Sequence, residues 1–436
     1  MHDVIGIGLG PFNLGLAALL DPIDDVDEVF LEARDEIAWH PGMLLPDSRL
    51  QTPFMSDLVT MADPTSRHSF LQHLKETGRL YPFYIRESFY PLRREFDAYC
   101  RWVSERLESV RLSRRVTSVT FDEDELAYVV RASTPDGEET YAARSLVVGT
   151  GTPPHIPDSC AGLPAELHNS TYLQRRAQLL ECRRVVVVGS GQSAAEIFRD
   201  LLAADDGRQR EIIWLTRSPR FFPLEYTKLT LEMTSPEYVD HIHALPPERR
   251  ESLIASQAQL YKGISGDFVD EIYDALYAAG VDGPSNARLF TNTAVTGSIQ
   301  EPDGTYRLTV KHADTGEERD IETDGLVLAT GYKHEVPAFL APVADRIRWD
   351  EKGRFDVTRD YRVDVAGPPI WVQNAELHTH GFAAPDLGMA AYRNSWIVRG
   401  ITGREVYPIE TRIAQQEFGL PEIAPLRSPL RQEVSA

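Results

Sequence analysis

The chain has 436 residues, a formal net charge of −21 and three cysteines. That length can bury a sizeable core and is read as two or three domains, while so negative a surface excludes nucleic acid and anionic membrane as partners, because both would repel it. Cys100, Cys160 and Cys182 are far apart and form no C-x-x-C pair, which excludes a dithiol redox centre and predicts a reduced, cytoplasmic protein.

The chain opens on a short apolar strand (Val4, Ile5), not on a charged leader with an apolar segment, and its apolar runs are too short to span a membrane. The loop GIGLGPFN follows at residues 6–13 and runs into the helical stretch FNLGLAALL. Gly6 permits the tight turn, Gly8 lets the backbone approach a pyrophosphate, and Gly10 leads into a helix N-terminus that supplies free N–H groups. Pro11 stands where the usual fingerprint has its third glycine. The next apolar strand (Val29, Phe30, Leu31) ends in Glu32, whose carboxylate can accept hydrogen bonds from both hydroxyls of an adenosine ribose.

Residues 65–110 read as helices, SFLQHLKETG and then PLRREFDAYCRWVSERL, followed by strands to about residue 150 and the strand end LVVGTGTPP. A second loop, VVVVGSGQSAAE, comes at residues 185–196: Gly189, Gly191 and Ala194 fill all three fingerprint positions, with Ser190 and Gln192 between them. The strand at residues 211–215 ends in Thr216-Arg217-Ser218 and not in an acid, and a cation there suits the 2′-phosphate of NADP. Residues 218–280 form a helical and irregular insertion beyond the C-terminal edge of the parallel strands, where α/β proteins place ligands. The strand end LVLATGY, with Gly331 at its turn, closes the set.

These elements predict an α/β fold with two Rossmann-like dinucleotide-binding domains, one for FAD and one for NADPH, and a smaller helical substrate-binding insertion. The FAD domain is expected to be discontinuous, residues 1–165 plus 326–436; the NADPH domain spans 166–325, with 218–280 as the insertion.

The N-terminal GxGxxP, the run WHPGMLLPDSRLQTPFMSDLVTMADPTSRHSF, GSGQSAAE, SPEYVD, ATGY and NAELHTHGFAAPDLGMAAYRNS occur in order along essentially the whole chain. Together they resemble the microbial lysine, ornithine and diamine N-hydroxylating flavin monooxygenases of hydroxamate siderophore biosynthesis. The resemblance implies that Glu32, Trp39, His40 and Gln51 lie along FAD, Gln51 near the isoalloxazine, with Pro385, Asp386 and Leu387 as a second flavin-contacting segment. It implies that Gly189, Ser190, Gly191, Gln192 and Arg217 hold NADPH. The implied chemistry is hydride transfer from NADPH to FAD, addition of O₂ at flavin carbon 4a, and delivery of the distal oxygen of that hydroperoxide to a primary amine. The flavin carries the reaction, so no acid–base pair of the protein is required. The resemblance also implies a homo-oligomer, the family often being tetrameric.

Relatives acting on ornithine or lysine read FLKDLV after the flavin glutamine, and their lysine binds the substrate's α-carboxylate. Here the run is FMSDLV, with Ser56 at the lysine position, and TKLTLEMTSPEY puts Leu231 where ornithine enzymes carry an asparagine. Without that cation a carboxylate loses a charge-assisted interaction of about 1.5–3 kcal/mol. Both changes resemble the branch acting on cadaverine or putrescine for desferrioxamine-type siderophores. The distal ammonium is left to Glu225, Glu232 or Asp57; Lys262 matches a substrate-side loop or lies near the nicotinamide ribose, and Gly388 belongs to the substrate side. The alternatives are an L-lysine N6-hydroxylase of the same mechanism, or a reductase or sensor that makes no oxygenated product.

His378 and His380, spaced i, i+2 on an expected loop, lack further ligands, so no metal is expected. His168 and Tyr172 share only the histidine with the Baeyer–Villiger fingerprint, which argues against ketone oxidation.

Overall fold

The computed structural model describes residues 1–204, 210–281, 283, 285–420 and 422. Its first unit begins β1 (Val4–Ile7), α1 (Pro11–Leu20), β2 (Glu28–Leu31). Pro11 occupies the first turn of α1, where a fixed φ and a missing N–H cost nothing, which accounts for its presence in the loop. Three helices follow: α2 (Phe70–Glu76), α3 (Leu80–Ile85) and α4 (Arg93–Ser104). The sequence pattern conceals α3, because Tyr81, Tyr84 and Ile85 are all exposed and leave no apolar stripe.

After β3 (Val110–Arg111), the strands β4 (Arg115–Asp122), β5 (Ala127–Thr134) and β6 (Gly137–Ala143) form an antiparallel meander, and β7 (Leu146–Val148) returns beside β1. The second unit contains α5 (Tyr172–Glu181), β8 (Arg184–Val188), α6 (Gln192–Ala203) and β9 (Glu211–Leu215). The insertion then supplies α7 (Lys228–Leu231), α8 (Pro236–Ala244), α9 (Pro247–Ser256) and α10 (Gly266–Ala279). β10 (Ala287–Phe290), a second meander of β11 (Thr293–Gln300), β12 (Tyr306–His312) and β13 (Glu318–Thr323), and β14 (Gly325–Leu328) complete the unit. The chain then re-enters the first unit with β15 (Ile370–Val372), α11 (Leu377–His380) and α12 (Ala390–Thr402).

Two parallel sheets result, ordered β15-β7-β1-β2-β3 and β10-β9-β8-β14. Their strands are buried on both faces, as the Val/Ile/Leu runs demand. β14 pairs with β8, Gly325 opposite Val185 through Leu328 opposite Val188, so the boundary expected at residue 326 moves to the far side of this strand. Likewise Cys160 and Leu163 pack with Val186 and Leu326, so the first crossing precedes residue 165. The last strand of a parallel sheet is claimed by hydrogen bonding and not by chain proximity. Part of the expected 326–436 segment, residues 421 and 423–436, lies outside the described residues, as do 205–209, 282 and 284 of the expected 166–325 unit.

Candidate functional site

Both units use the same device at the C-terminal edge of their sheets. Gly8 has φ 84°, and a Cβ there would sit 2.7 Å from the Gly149 carbonyl oxygen; Gly189 has φ 143°, and its Cβ would sit 2.1 Å from that of Ala329. Each loop is thus pressed against the strand end that follows it in the sheet, GTG after β7 and ATG after β14, which explains why those turns carry small residues. Gly331, at φ 81°, completes the second turn. Gly10 and Gly191 precede α1 and α6 with no side-chain cap, and nothing lies within 4 Å of a Cβ built on either. No side chain caps the first turn of either helix, which fits a pyrophosphate at each. Gly6, in β1, lies against the Phe30 ring.

Glu32 is buried at the end of β2, where it accepts hydrogen bonds from the N–H of Leu9 (2.8 Å) and of Arg34 (3.0 Å). Lone pairs remain on both oxygens for a ribose. Asn13, missed in the sequence, is fully buried below the first loop: its Nδ2 donates to the Gly8 carbonyl (2.7 Å) and its Oδ1 accepts from Gln373 Nε2 (2.7 Å). A lone amide inside the apolar helix PFNLGLAALL was the available signal. On the other side, Ser190 Oγ lies 3.2 Å from Ser218 Oγ, beside the exposed Arg217. The Lys262 ammonium is pushed below its ordinary pKa by burial and then by the Arg217 charge, so the two cations share one field that fits an anionic cofactor group.

A cavity of about 230 Å³ brings together Trp39, Gln51, Glu225, Leu231, Pro385, Asp386 and Leu387. A larger one, about 530 Å³, contains Gln192, Glu196 and Ser265. Gln51 and Tyr226 line both, so Gln51 stands at the junction of the two units. Its Nε2 donates to the Gly263 carbonyl (3.3 Å) and Ser265 Oγ (3.4 Å); the Ser265 N–H donates to Gln192 Oε1 (2.9 Å), and Gln192 Nε2 donates to Glu196 (3.0 Å). This chain links the expected flavin glutamine to the nucleotide-loop glutamine.

Trp39 is held by its N–H donating to Asp97 on α4 (2.7 Å). His40, left-handed at φ 52°, packs edge-on against Trp39 and Tyr332. Burial, then the charges of Arg93 and Arg34, push its pKa down to about 4, so it is neutral at physiological pH.

The remaining candidates separate. Glu232 accepts the N–H groups of Gln415 (2.9 Å) and Gln416 (3.0 Å), so it clamps the C-terminal segment and does not line the cavity. Asp57 accepts from the N–H groups of Val59, Thr60 and Phe70 and from the Thr60 hydroxyl, which uses both its oxygens inside the FMSDLV turn. Neither carboxylate is free for a ligand, because backbone donors already satisfy them. Ser56 and Gly388 lie behind the cavity wall: a Cβ at residue 388 would meet Asp386 Oδ1 at 2.9 Å and Ser56 Oγ at 3.3 Å. Lys262 sits over the Tyr261 ring at 5.1 Å, outside the smaller cavity. His378 and His380 lie on the single turn α11, not on a loop, and their Nε2 atoms meet the carbonyls of Phe355 (2.8 Å) and Arg359 (3.3 Å). His168 Nε2 meets the Gly331 carbonyl (2.9 Å), and the Tyr172 hydroxyl donates to Asp200. No described helix is long and apolar enough to cross a membrane.

The family described as L-lysine 6-monooxygenase/L-ornithine 5-monooxygenase matches residues 1–334. A putrescine N-hydroxylase of Shewanella oneidensis is 49% identical over 434 residues, 99% of this chain and 87% of that protein. Among solved structures, the FAD-bound cadaverine monooxygenase of the desferrioxamine pathway from Erwinia amylovora is 46% identical, with a TM-score of 0.94 over 98% of this chain and 100% of that one. The ornithine N-hydroxylase of Kutzneria sp. 744, with reduced FAD, NADP⁺ and L-ornithine, is 31% identical, with a TM-score of 0.86 over 92% of this chain and 99% of that one.

Proposed function

Because the chain belongs to the lysine 6-monooxygenase/ornithine 5-monooxygenase family of FAD- and NADPH-dependent N-hydroxylases, we propose that it hydroxylates one primary amine of an aliphatic diamine, cadaverine or putrescine, for hydroxamate siderophore biosynthesis. The observation that carries this reading is Ser56, at the position where the family resemblance implies a lysine that binds an α-carboxylate in the amino-acid-hydroxylating relatives.

On this reading Gly8, Gly10 and Glu32 hold the pyrophosphate and ribose of FAD, and Trp39, Gln51, Pro385 and Leu387 border its ring, while Asp386 faces the substrate side of the same cavity. Gly189, Gly191, Gln192 and Arg217 hold NADPH. When bound, FAD accepts hydride from NADPH and supplies the oxygen-transfer chemistry with O₂. The protein's own work is to orient and to exclude water. Leu50, Leu224, Leu231, Leu260 and Phe382 wall the smaller cavity with apolar surface. Desolvation there favours the neutral amine, the form that is nucleophilic.

The experiment is NADPH consumption against hydroxylamine product for cadaverine, putrescine, L-lysine and L-ornithine, with FAD and oxygen present. Tight coupling with a diamine and not with the amino acids is expected; no hydroxylamine from any of the four would remove the assignment. A second reading, L-lysine N6-hydroxylation, draws on Arg49, which lines the cavity without an ion pair among the described residues and could receive a carboxylate. Coupling with L-lysine would select it.

The reading extends to a homo-oligomer and a cytoplasmic location. Exposed Tyr81, Tyr84, Ile85 and Phe89 support the first, and three unpaired thiols the second. Light scattering on the purified protein checks the first, and a monomer mass at micromolar concentration would sink it. Cell fractionation checks the second, and recovery outside the cytoplasmic fraction would overturn it.

A further inference from the structure

A diamine differs from lysine at the end away from the reacting nitrogen: it carries a second ammonium and no carboxylate. A site selective for it needs an anion at that end, held rigid and not already neutralised. Resting on the diamine reading, we propose that Asp386 receives the substrate's non-reacting ammonium.

Asp386 lines the smaller cavity. Its Oδ1 accepts the Gly388 N–H at 2.6 Å, and the Met389 N–H also acts on the carboxylate, so the group is held by neutral backbone donors just before α12. No cation is ion-paired with it among the described residues. The cation whose field reaches it, Arg393, has its Nε 3.0 Å from Glu376 and donates from Nη2 to the Ala384 carbonyl (2.6 Å). Burial raises the Asp386 pKa above the ordinary carboxylate value, as it does for an anion lacking a counter-charge. The Tyr226 phenol shares its field and the same cavity, offering a second oxygen to an ammonium.

The other candidate carboxylates are committed elsewhere or open to solvent. Glu196 is paired with Arg93, Asp57 and Glu232 are satisfied by backbone donors, and Glu225 is exposed. The leucine side chains that line the same cavity suit a polymethylene chain.

Ser56 Oγ and Asp386 Oδ1 both lie against Gly388, 3.3 and 2.9 Å from the place a Cβ would take, so the glycine puts no side chain between them. A lysine in place of Ser56 would bring an ammonium to this carboxylate and cancel it. The serine leaves Asp386 uncompensated, so the pair is anionic where the amino-acid-hydroxylating relatives have a cation. Residues 56 and 386 thus set the sign of charge that the distal end of the substrate must carry.

The test uses the FAD-loaded enzyme and compares cadaverine with 1-aminopentane, which has the same chain and no second ammonium. Asp386→Asn, an isosteric change, is expected to raise the KM for cadaverine tenfold or more with kcat within about threefold, as loss of a charge-assisted hydrogen bond implies. The KM for 1-aminopentane should stay unchanged, so the preference for the diamine collapses. Ser56→Lys, which leaves Asp386 in place, should produce the same collapse. FAD content and substrate-free NADPH oxidation identify a role toward the flavin instead: if Asp386→Asn lowers either, or raises KM equally for both amines, the inference is overturned. It is also overturned if Glu225→Gln reproduces the selective effect and Asp386→Asn does not. If the unmodified enzyme couples with L-lysine and with neither diamine, the functional reading fails; if it couples with diamines and Asp386→Asn is silent, only this inference fails.

Discussion

Arg93 and Glu196 meet across the boundary between the two nucleotide units through two parallel bonds, Nη1 to Oε2 at 2.8 Å and Nη2 to Oε1 at 2.9 Å. Arg93 opens α4 of the first unit, and Glu196 lies in α6 just behind the second glycine loop. Arg93 Nη1 also donates to the Met43 carbonyl (2.9 Å), and Glu196 continues through Gln192 and Ser265 to Gln51. With side chains only 12% and 3% exposed, the pair is a buried bidentate contact and not a solvated one.

Removing one partner strands the other charge. Glu196→Ala is expected to lower unfolding stability by about 3–5 kcal/mol. Replacing both residues by methionine should recover much of that loss, because no unpaired charge is left. Denaturant melts of the two variants check this; equal destabilisation by both would show that the pair contributes through its packing alone.

The two loop glycines should fail separately. Gly189→Ala drives a methyl into the Ala329 carbonyl and forces a side chain to φ 143°. Weakened NADPH binding with FAD retained is expected, whereas Gly8→Ala, facing the Gly149 carbonyl, should lose FAD. Flavin absorbance after gel filtration and the KM for NADPH separate the two effects. FAD loss from Gly189→Ala would contradict the assignment of the loops.

Arg217 is the expected reader of the 2′-phosphate. Arg217→Ala should weaken NADPH relative to NADH by about 1.5–3 kcal/mol, the worth of a charge-assisted bond. Anaerobic flavin-reduction rates with each nucleotide give the ratio, and an unchanged preference would move the role to another residue.

Acid should destabilise the fold near neutrality. His40 is pushed from 6.5 to about 4. Between those values the unfolded chain binds a proton that the folded chain refuses, so its contribution is fully present above pH 6.5 and is lost as pH falls towards 4. Burial shifts His73, His168, His243, His334, His378 and His380 in the same direction. The buried carboxyls of Asp57, Glu376 and Asp386, shifted up by burial, act in the opposite sense as pH falls through their folded values. With more histidines shifted down than carboxyls shifted up, Tm is expected to fall steadily from pH 6.5 to 5; a flat or rising Tm would mean that the raised carboxyls dominate.

Much of the chemistry was legible before folding because it is local. A strand, a glycine turn and a helix N-terminus make a phosphate cradle within about a dozen residues, and the residue ending the next strand reads the ribose, so Gly8, Glu32, Gly189 and Arg217 could be named from spacing alone. Ser56 could be singled out only through the family resemblance, as one position in a contiguous motif, and its role belongs to the proposed reading. The tertiary structure alone decided where the remaining polar groups spend their hydrogen bonds. Asp57 and Glu232 look in the sequence as available as Asp386, yet backbone N–H groups occupy the first two, while the third faces the cavity without a cation. The Asn13–Gln373 contact, the Arg93–Glu196 bridge and the pairing of β14 with β8 join residues far apart in the chain. Such partners are chosen by burial, where each donor, acceptor and charge must find a complement, and sequence spacing carries no record of that choice.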